Sequence, residues 1–510
     1  MKRETLEHIF QQHHDPAAHD SEDSVGLLNE DEKRQTSPSP LQGKFANSRN
    51  RKVWLYLALF GIALILIALA LPTKRIRGIE LPFIPATPAS HLRQEDHFLH
   101  IVIPQIWSPV GTVELCKTLL TASTLDYPTP WTVSWNSTVD ADGEVANAAL
   151  NKIQHVSAWL NGMPEEREDD LVAILGNNKS WFQVRPEVLL KRYLGILEKA
   201  NKELSHKYPS DVLETREIGE RVVFATEEQC PSEDAGRCQA VEAGGKSVHY
   251  LSADFSMGVL KDVKLLWQHA ASKALQLTVE NATFDEYTIF ASLMSEQEQY
   301  RQEARQSRRQ EERQNDHGTS IDFGMTLDFK QELSYAAPSN TDETEWIKHI
   351  KTSKREVRKW TSPPDLYLPK DITASEPPFW TVDGAEVPQN ATWHDVQLLT
   401  TTATNVVPAI VQRGPHSDPL LAQGWWKKMW FQPYARRLLD TFVLTPLMPV
   451  AVLAGMGGNE TRYWSPHWQR IGVMQAENVK FKKWNDVCNA EEMAQALFLD
   501  GEGSWVDPRP

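Results

Sequence analysis

The chain contains no G-x-G-x-x-G and no G-x-x-x-x-G-K-[ST], so neither standard glycine-rich cradle for a nucleotide phosphate is present. It has no basic excess. The formal net charge is −15 over 510 residues, which lacks the positive face that nucleic-acid binding requires. Cysteine is scarce, with four in all: Cys116, Cys230, Cys238 and Cys488. The C-x7-C spacing of Cys230 and Cys238 holds no histidine and is not a zinc spacing. There is no internal repeat. Charge-free apolar runs long enough for a bilayer are also missing, with a single exception at residues 53–71.

That exception, VWLYLALFGIALILIALAL, would span about 28 Å as a helix, enough for the hydrocarbon core. Trp54 and Tyr56 suit an interface, with Arg51 and Lys52 flanking them. A cleaved signal peptide would have a shorter apolar region and would not follow fifty hydrophilic residues. The expectation is an uncleaved signal anchor. Residues 1–52, rich in His, Asp, Glu, Ser and Gln with no apolar period, read as a disordered cytosolic tail. His13, His14 and His19 within it have no Cys partner and no helical register, so a metal cluster is not inferred.

Orientation follows from what lies after the anchor. Basic residues on its two sides, Lys44, Arg49, Arg51 and Lys52 against Lys74, Arg75 and Arg77, nearly balance. The glycosylation sequons at Asn136, Asn178, Asn281, Asn390 and Asn459 all follow it and none precedes it. The four cysteines lie on the same side and are even in number, which suits an oxidising lumen. The expected topology is a single-pass type II protein of the Golgi or endoplasmic reticulum membrane with a luminal body. Cys230 and Cys238 are close enough to close a small loop; the pairing of Cys116 and Cys488 is left open.

A stem at 72–96 leads into the body. FLHIVI (98–103) reads as a first strand, 113–120 as a helix carrying Cys116, 131–135 as a strand and 145–160 as a helix. Leu171–Leu175 is a buried strand, residues 176–180 (GNNKS) are a polar turn, and Pro186 opens a helix with Val188, Leu189, Leu190 and Tyr193 at helical spacing. RVVFA (221–225) is a further buried strand, and another begins near His249. The alternation argues an α/β layered body with a mostly parallel sheet, and ligands of such sheets bind beyond the carboxyl ends of the strands. The turn at 176–180 is therefore the first place to look for a site.

Residues 295–316 read as a charged helix without an apolar seam, and so as a solvated one. The last third is rich in Trp and Pro. Its tryptophans, Trp425, Trp426, Trp430, Trp464, Trp468, Trp484 and Trp505, read by default as core, with sugar-ring platforms as the minority reading. The expected division is an α/β domain at 97–300 and, at 301–510, a charged helix and a Trp/Pro-rich extension packed on it.

The runs FLHIVIP, CKTLLTA, DDLVAIL…WFQVRPEVLLKRY and RVVFATEEQC resemble a family of fungal type II membrane proteins. IFASLMSEQEQYRQE, IDFGMTLDF, WHDVQLLTTTATNVVPAIV and WWKKMWFQPYARRLL extend the resemblance over roughly 98–505. That family is similar to the glycosyltransferase domain of procollagen lysyl hydroxylases and collagen galactosyltransferases. The resemblance implies a GT-A-like, Rossmann-like fold and a UDP-sugar ligand, and Cys230 and Cys238 match a cysteine pair of the family. Its D-A-Y-D motif, whose acids hold a divalent ion against the diphosphate, stands here as Gly176, Asn177, Asn178 and Lys179. Both acids are gone, which argues against Mn²⁺. Asp169 and Asp170 lie at the opposite end of the strand and do not replace them.

Two further motifs depart. The family's L-N-S-G turn is Leu251, Ser252, Ala253 and Asp254 here, and its S-D-Q is Asp285, Glu286 and Tyr287. Asp322 and Asp328, with His317 nearby, are the remaining metal candidates, read first as turn-capping acids. Three functional readings follow. One is a pseudoenzyme that binds a glycan, a luminal protein or an active relative. Another is a metal-independent transferase in which Asn177, Asn178 and Lys179 cradle the donor diphosphate and Lys179 neutralises it. The third is a luminal scaffold.

Overall fold

A computed structural model describes residues 96–509, with breaks at 107–110, 136–147, 233–237, 244–246, 308–320, 338–343, 350–366, 381, 383–386, 402–403, 414–418 and 455–459. The expected tail, signal anchor and nearly all of the stem lie outside the described residues, as do Asn136, His317 and Asn459. Among the described residues no helix is long and apolar enough to cross a membrane.

The chain opens with β1 (Asp96–Ile106) and α1 (Val113–Thr124), whose cap Thr112 accepts the Leu115 amide at 3.1 Å. Next come β2 (Trp131–Trp135), α2 (Ala148–Asn161), β3 (Leu171–Leu175) and the short β4 (Ser180–Phe182). Helix α3 (Pro186–Lys207) begins on Pro186, where the missing N–H would have had no helical partner. Helix α4 (Ser210–Thr215), β5 (Val222–Glu227), β6 (Val241–Ala243) and β7 (Ser247–Val259) lead to α5 (Leu260–Val279) and α6 (Glu286–Ser307). Beyond them are β8 (Met325–Leu327), β9 (Ser334–Ala337), β10 (Thr344–Lys348), α7 (Lys370–Thr373), β11 (Gln397–Thr401) and β12 (Ile410–Arg413). The chain closes with α8 (Pro419–Lys428), α9 (Ala435–Leu444), β13 (Ala451–Ala454), β14 (Glu460–Trp464), β15 (Gly472–Gln475), β16 (Lys480–Lys483), α10 (Trp484–Val487) and α11 (Glu491–Phe498).

The fold is mixed α/β around a largely parallel central sheet, ordered β16-β15-β2-β1-β3-β7-β5-β8. Strands β15, β2, β1 and β3 run parallel, and so do β5 and β8. Strand β7 enters antiparallel between β3 and β5. Leu171–Leu175 is apolar at every position because helices cover both faces of the sheet and all five residues are buried. On one face Val102, Val172, Ile174 and Phe224 pack with Ile153, Val156, Leu266 and Trp267. On the other, Leu99, Ile101 and Ala173 pack with Leu119, Val188, Leu189, Trp426 and Trp484.

Two sequence expectations change here. The residues after 300 do not form a layer applied to a finished domain: β8, β14 and β15 hydrogen-bond directly to β5, β1 and β2. Their tryptophans are mainly core, with Trp425, Trp426, Trp430, Trp484 and Trp505 buried and Trp468 59% exposed. The charged helix α6 is not solvated all round. Gln297, Arg301 and Ala304 are buried, and Arg301 pairs with Glu220 at 2.8 Å and Asp322 at 2.9 Å. Polar residues at helical spacing can form a buried stripe when each finds a partner, and hydrophobic periodicity does not register such a stripe.

The cysteines form two disulfides. The expected Cys230–Cys238 pair closes its small loop, with a Cα–Cα distance of 5.9 Å. Cys116 joins Cys488 across 372 residues and ties α1 to the end of α10.

Candidate functional site

The turn at 176–180 sits at the carboxyl end of β3, against β7 and β12. Gly176 donates its amide to the Asp254 carbonyl at 2.5 Å. A Cβ at Gly176 would lie 2.3 Å from the Asp254 Cα, so the chain approaches β7 too closely for any side chain. The same Asp254 carbonyl accepts the buried Gln412 side-chain amide at 2.6 Å. The Gly176 carbonyl accepts from Lys152 Nζ at 2.6 Å. Lys152, buried on α2, is also ion-paired with Glu286 at the start of α6.

The remaining turn residues are engaged in the same way. Asn177 accepts the Lys179 amide on Oδ1 at 2.8 Å and lies with its Nδ2 3.5 Å from Asp254 Oδ1. The Asn178 carbonyl accepts the Thr118 hydroxyl at 2.9 Å, and Asn178 Nδ2 donates to the Thr112 hydroxyl at 3.2 Å. The Lys179 carbonyl accepts the Arg413 amide at 3.1 Å. The turn is thereby sewn to α1, β7 and β12 through its own polar groups.

The electrostatics are those of a half-buried acid cluster, in which Asp254, Glu227 and Glu286 all keep some exposure. Burial pushes the Asp254 carboxyl up, while the charges of Lys152 and Lys179 and the Asn177 amide pull it back. Glu286 is likewise raised by burial and drawn down by Lys152. Glu227, at the end of β5, is pushed up to about 7 by burial and by the charge of Asp254, although it accepts a hydrogen bond from the Ser252 hydroxyl. In the sequence, Asp254 and Glu286 stand out only at departures from the resembling family's motifs, and Lys152 and Glu227 do not stand out at all. Lys152 did leave a signal: it lies one helical turn from Val156, on the face that α2 buries.

The two other metal candidates have structural occupations. Asp322 accepts Arg301, the Gly219 amide at 3.0 Å and the Gly324 amide at 3.0 Å. Asp328 caps the following loop by accepting the Leu333 amide at 2.7 Å, and burial raises it to about 6. Among the described residues no three His, Cys, Asp or Glu side chains are placed to hold a metal ion. Asp170 is at the other end of β3, as expected, where it accepts the Phe98 amide at 2.9 Å and holds His100 Nε2 at 3.1 Å. Of the sequons within the described residues, Asn281 and Asn390 are exposed and Asn178 is partly buried.

No family model matches the chain, and no curated protein matches it. Among solved structures it is similar to a galactosyltransferase, LgtC, in complex with donor and acceptor sugar analogues. The identity is 10%, the match covers 69% of this chain and 97% of that one, and the TM-score is 0.25.

Proposed function

We propose that this chain is a glycosyltransferase-like protein whose donor turn is closed by its own side chains, so that it binds a glycan or a luminal protein without transferring sugar. The observation that carries this reading is Lys152. Its ammonium holds the Gly176 carbonyl and the Glu286 carboxylate, directly at the turn proposed to face a donor diphosphate. A diphosphate there would displace a buried ion pair and leave a carboxylate unpaired, which is strongly unfavourable. The family motif in which the D-A-Y-D acids have become Gly176, Asn177, Asn178 and Lys179 supports the same reading. The proposed setting is a type II membrane protein of the Golgi or endoplasmic reticulum.

The rival reading, a metal-independent transferase using Lys179, has a cation in the right segment, and its charge also helps to lower the Asp254 carboxyl. Calorimetric titration of the full-length protein with UDP-sugars, with and without Mn²⁺, separates the two. The expected result is no binding in either condition. Mn²⁺-dependent binding overturns the closed-turn reading, and metal-free binding abolished by Lys179→Ala establishes the rival.

Site-specific glycopeptide mapping checks the turn a second way. Asn281 and Asn390 are expected to carry glycan. Asn178 is expected to be bare, because a glycan on its Nδ2 would sit against Thr112 and the start of α1. High occupancy at Asn178 would show that the turn is open.

A further inference from the structure

Between the end of α1, the start of α3 and the segment joining α9 to β13 lies a half-open pocket of about 380 Å³. Phe442, Pro446, Met448, Pro449 and Trp380 give it an apolar wall. Trp380 is 43% exposed and Met448 39%, so part of that wall faces solvent. Two arginines line the same pocket, and they differ in what holds them. Arg185 is buried and engaged on every side: it is ion-paired with Asp126 and donates to the carbonyls of Glu376 at 3.2 Å and Pro377 at 3.0 Å. Arg470 has one hydrogen bond, from Nη1 to the Thr445 carbonyl, and no carboxylate partner among the described residues.

One edge of Arg470 is therefore free. A face of its guanidinium lies on the Phe442 ring, 4.0 Å from the centroid, and Nη1 is taken by Thr445. Nε and Nη2 remain. Neither is among the buried unpaired polar atoms, so solvent reaches both. A guanidinium presents these two N–H groups as a parallel fork that matches the two oxygens of a carboxylate. The chain uses the same fork elsewhere: Arg436 holds Asp500 through Nε at 2.5 Å and Nη2 at 3.0 Å. The charge of Arg470 is also poorly compensated. Burial draws its pKa down to about 10; Asp126 opposes this but is already paired with Arg185, and Arg509 adds to it. The other charged lining residues, Glu187, Lys191 and Glu376, lie toward α3, where the Glu376 amide donates to Glu187 at 3.1 Å.

We infer that this pocket binds a small monocarboxylate with an apolar body, its carboxylate seated on the Nε–Nη2 edge of Arg470. The carboxylate supplies the counter-charge that a partly desolvated guanidinium lacks, and both of its oxygens find a donor. The apolar body packs on the wall formed by Trp380, Phe442 and the prolines. The volume lies within the range of small-ligand pockets. A neutral ligand would leave the charge unmatched, and a dianion would bring a second negative charge toward Asp126. The pocket shares no lining residue with the turn at 176–180, so the inference does not depend on how that turn is read.

The test uses the full-length chain in a non-ionic detergent. Saturation-transfer NMR and calorimetric titration are read with phenylacetate and N-acetyl-phenylalanine, and with phenylacetamide, glucuronate and inorganic phosphate as controls. Saturable binding of at least one of the two aryl carboxylates is expected, and none of phenylacetamide. Arg470→Gln should weaken that binding by about tenfold to a hundredfold, the worth of a charge-assisted hydrogen bond. Arg470→Lys keeps the charge but not the fork, and should weaken it by about tenfold. A thermal melt like that of the parent protein shows which variants are folded; where Arg470→Gln is not, Arg470→Lys decides. Binding of neither aryl carboxylate, equal binding of phenylacetamide, binding of glucuronate or phosphate at least as tight, or unchanged binding in a folded Arg470 variant overturns the proposal.

Discussion

The turn at 176–180 and the aromatic cluster of Trp131, Trp159, His100 and His467, which line a half-open cavity of about 570 Å³ on the α2 side of the sheet, are both polar clusters packed against the same strands. They differ in where their hydrogen bonds go. At the turn, Lys152, Asp254, Glu286, Asn177 and Asn178 bond to one another or to neighbouring groups, and Gln412 donates to the Asp254 carbonyl while its Oε1 has no partner among the described residues. At the cavity, three ring nitrogens have no partner within the described residues. The difference is one of degree: fewer buried polar atoms go unpaired at the turn than at the aromatic cluster, and in both places the unpaired atoms are out of reach of solvent. The region that the motif resemblance marks as the site is thus the better sealed of the two.

The sharpest way to break this contrast is Lys152→Met. It would strand the largely buried Glu286 carboxylate and the Gly176 carbonyl, at a cost of roughly 3–5 kcal/mol. Urea denaturation measures it. Adding Glu286→Gln should recover most of the loss, because the uncompensated charge disappears with it. A single-variant cost below about 1 kcal/mol would mean that the ammonium is solvated and the turn is not closed.

Glu227 sharpens the comparison through pH. Its carboxyl is raised from 4.5 to about 7 in the folded protein. Between these values the native state binds the proton more tightly than the unfolded chain does, so stability falls as pH rises from about 4.5 to 7 and the loss is complete above that. Glu227→Gln removes the titration. It is expected to be more stable than the parent by about 2 kcal/mol at pH 8, with the gain fading toward pH 4.5. Melting temperatures across that range read it out, and a gain independent of pH would show that Glu227 is not held protonated.

Much of the framework is legible in the sequence. The strands at 131–135 and 171–175 and the helix start at Pro186 are found where apolar runs and turn residues place them. So is the polar turn between Leu175 and Ser180. The antiparallel insertion of β7 is not legible, because its direction is set by a partner 80 residues away and leaves no local mark. The same holds for β14 and β15, short strands whose membership of the central sheet is a long-range fact. At the site, the sequence shows that the 176–179 segment carries no acid but not what surrounds it. Lys152 and Glu227 arrive from α2 and β5, and only the fold brings them to Asp254. The cavity is less visible still. Trp131, Trp159 and His467 are scattered over 337 positions, and no pattern separates them from core aromatics.

The smallest expected effect belongs to the cavity, and it is the one that distinguishes an open cluster from a closed one. His467 packs edge-on against Trp131, and its Nε2 has no partner among the described residues. Replacing it by Phe keeps a ring in place and removes an unsatisfied polar atom, so at pH 7.5 stability should change by less than about 1 kcal/mol. Acid reveals the rest. The folded-state value of His467 lies near 4, below the ordinary 6.5, because burial and the neighbouring His100 disfavour its charge. The unfolded chain therefore takes up the proton first, and the parent loses stability as pH falls from 6.5 toward 4. His467→Phe lacks that proton uptake. The difference between the two proteins should grow in the variant's favour over this window, to the order of 1–2 kcal/mol, and then level off. Paired denaturation curves at pH 7.5, 6, 5 and 4 measure it. A cost of 3 kcal/mol or more at pH 7.5 would mean that Nε2 makes a bond important to the fold, and that this end of the sheet is as closed as the other.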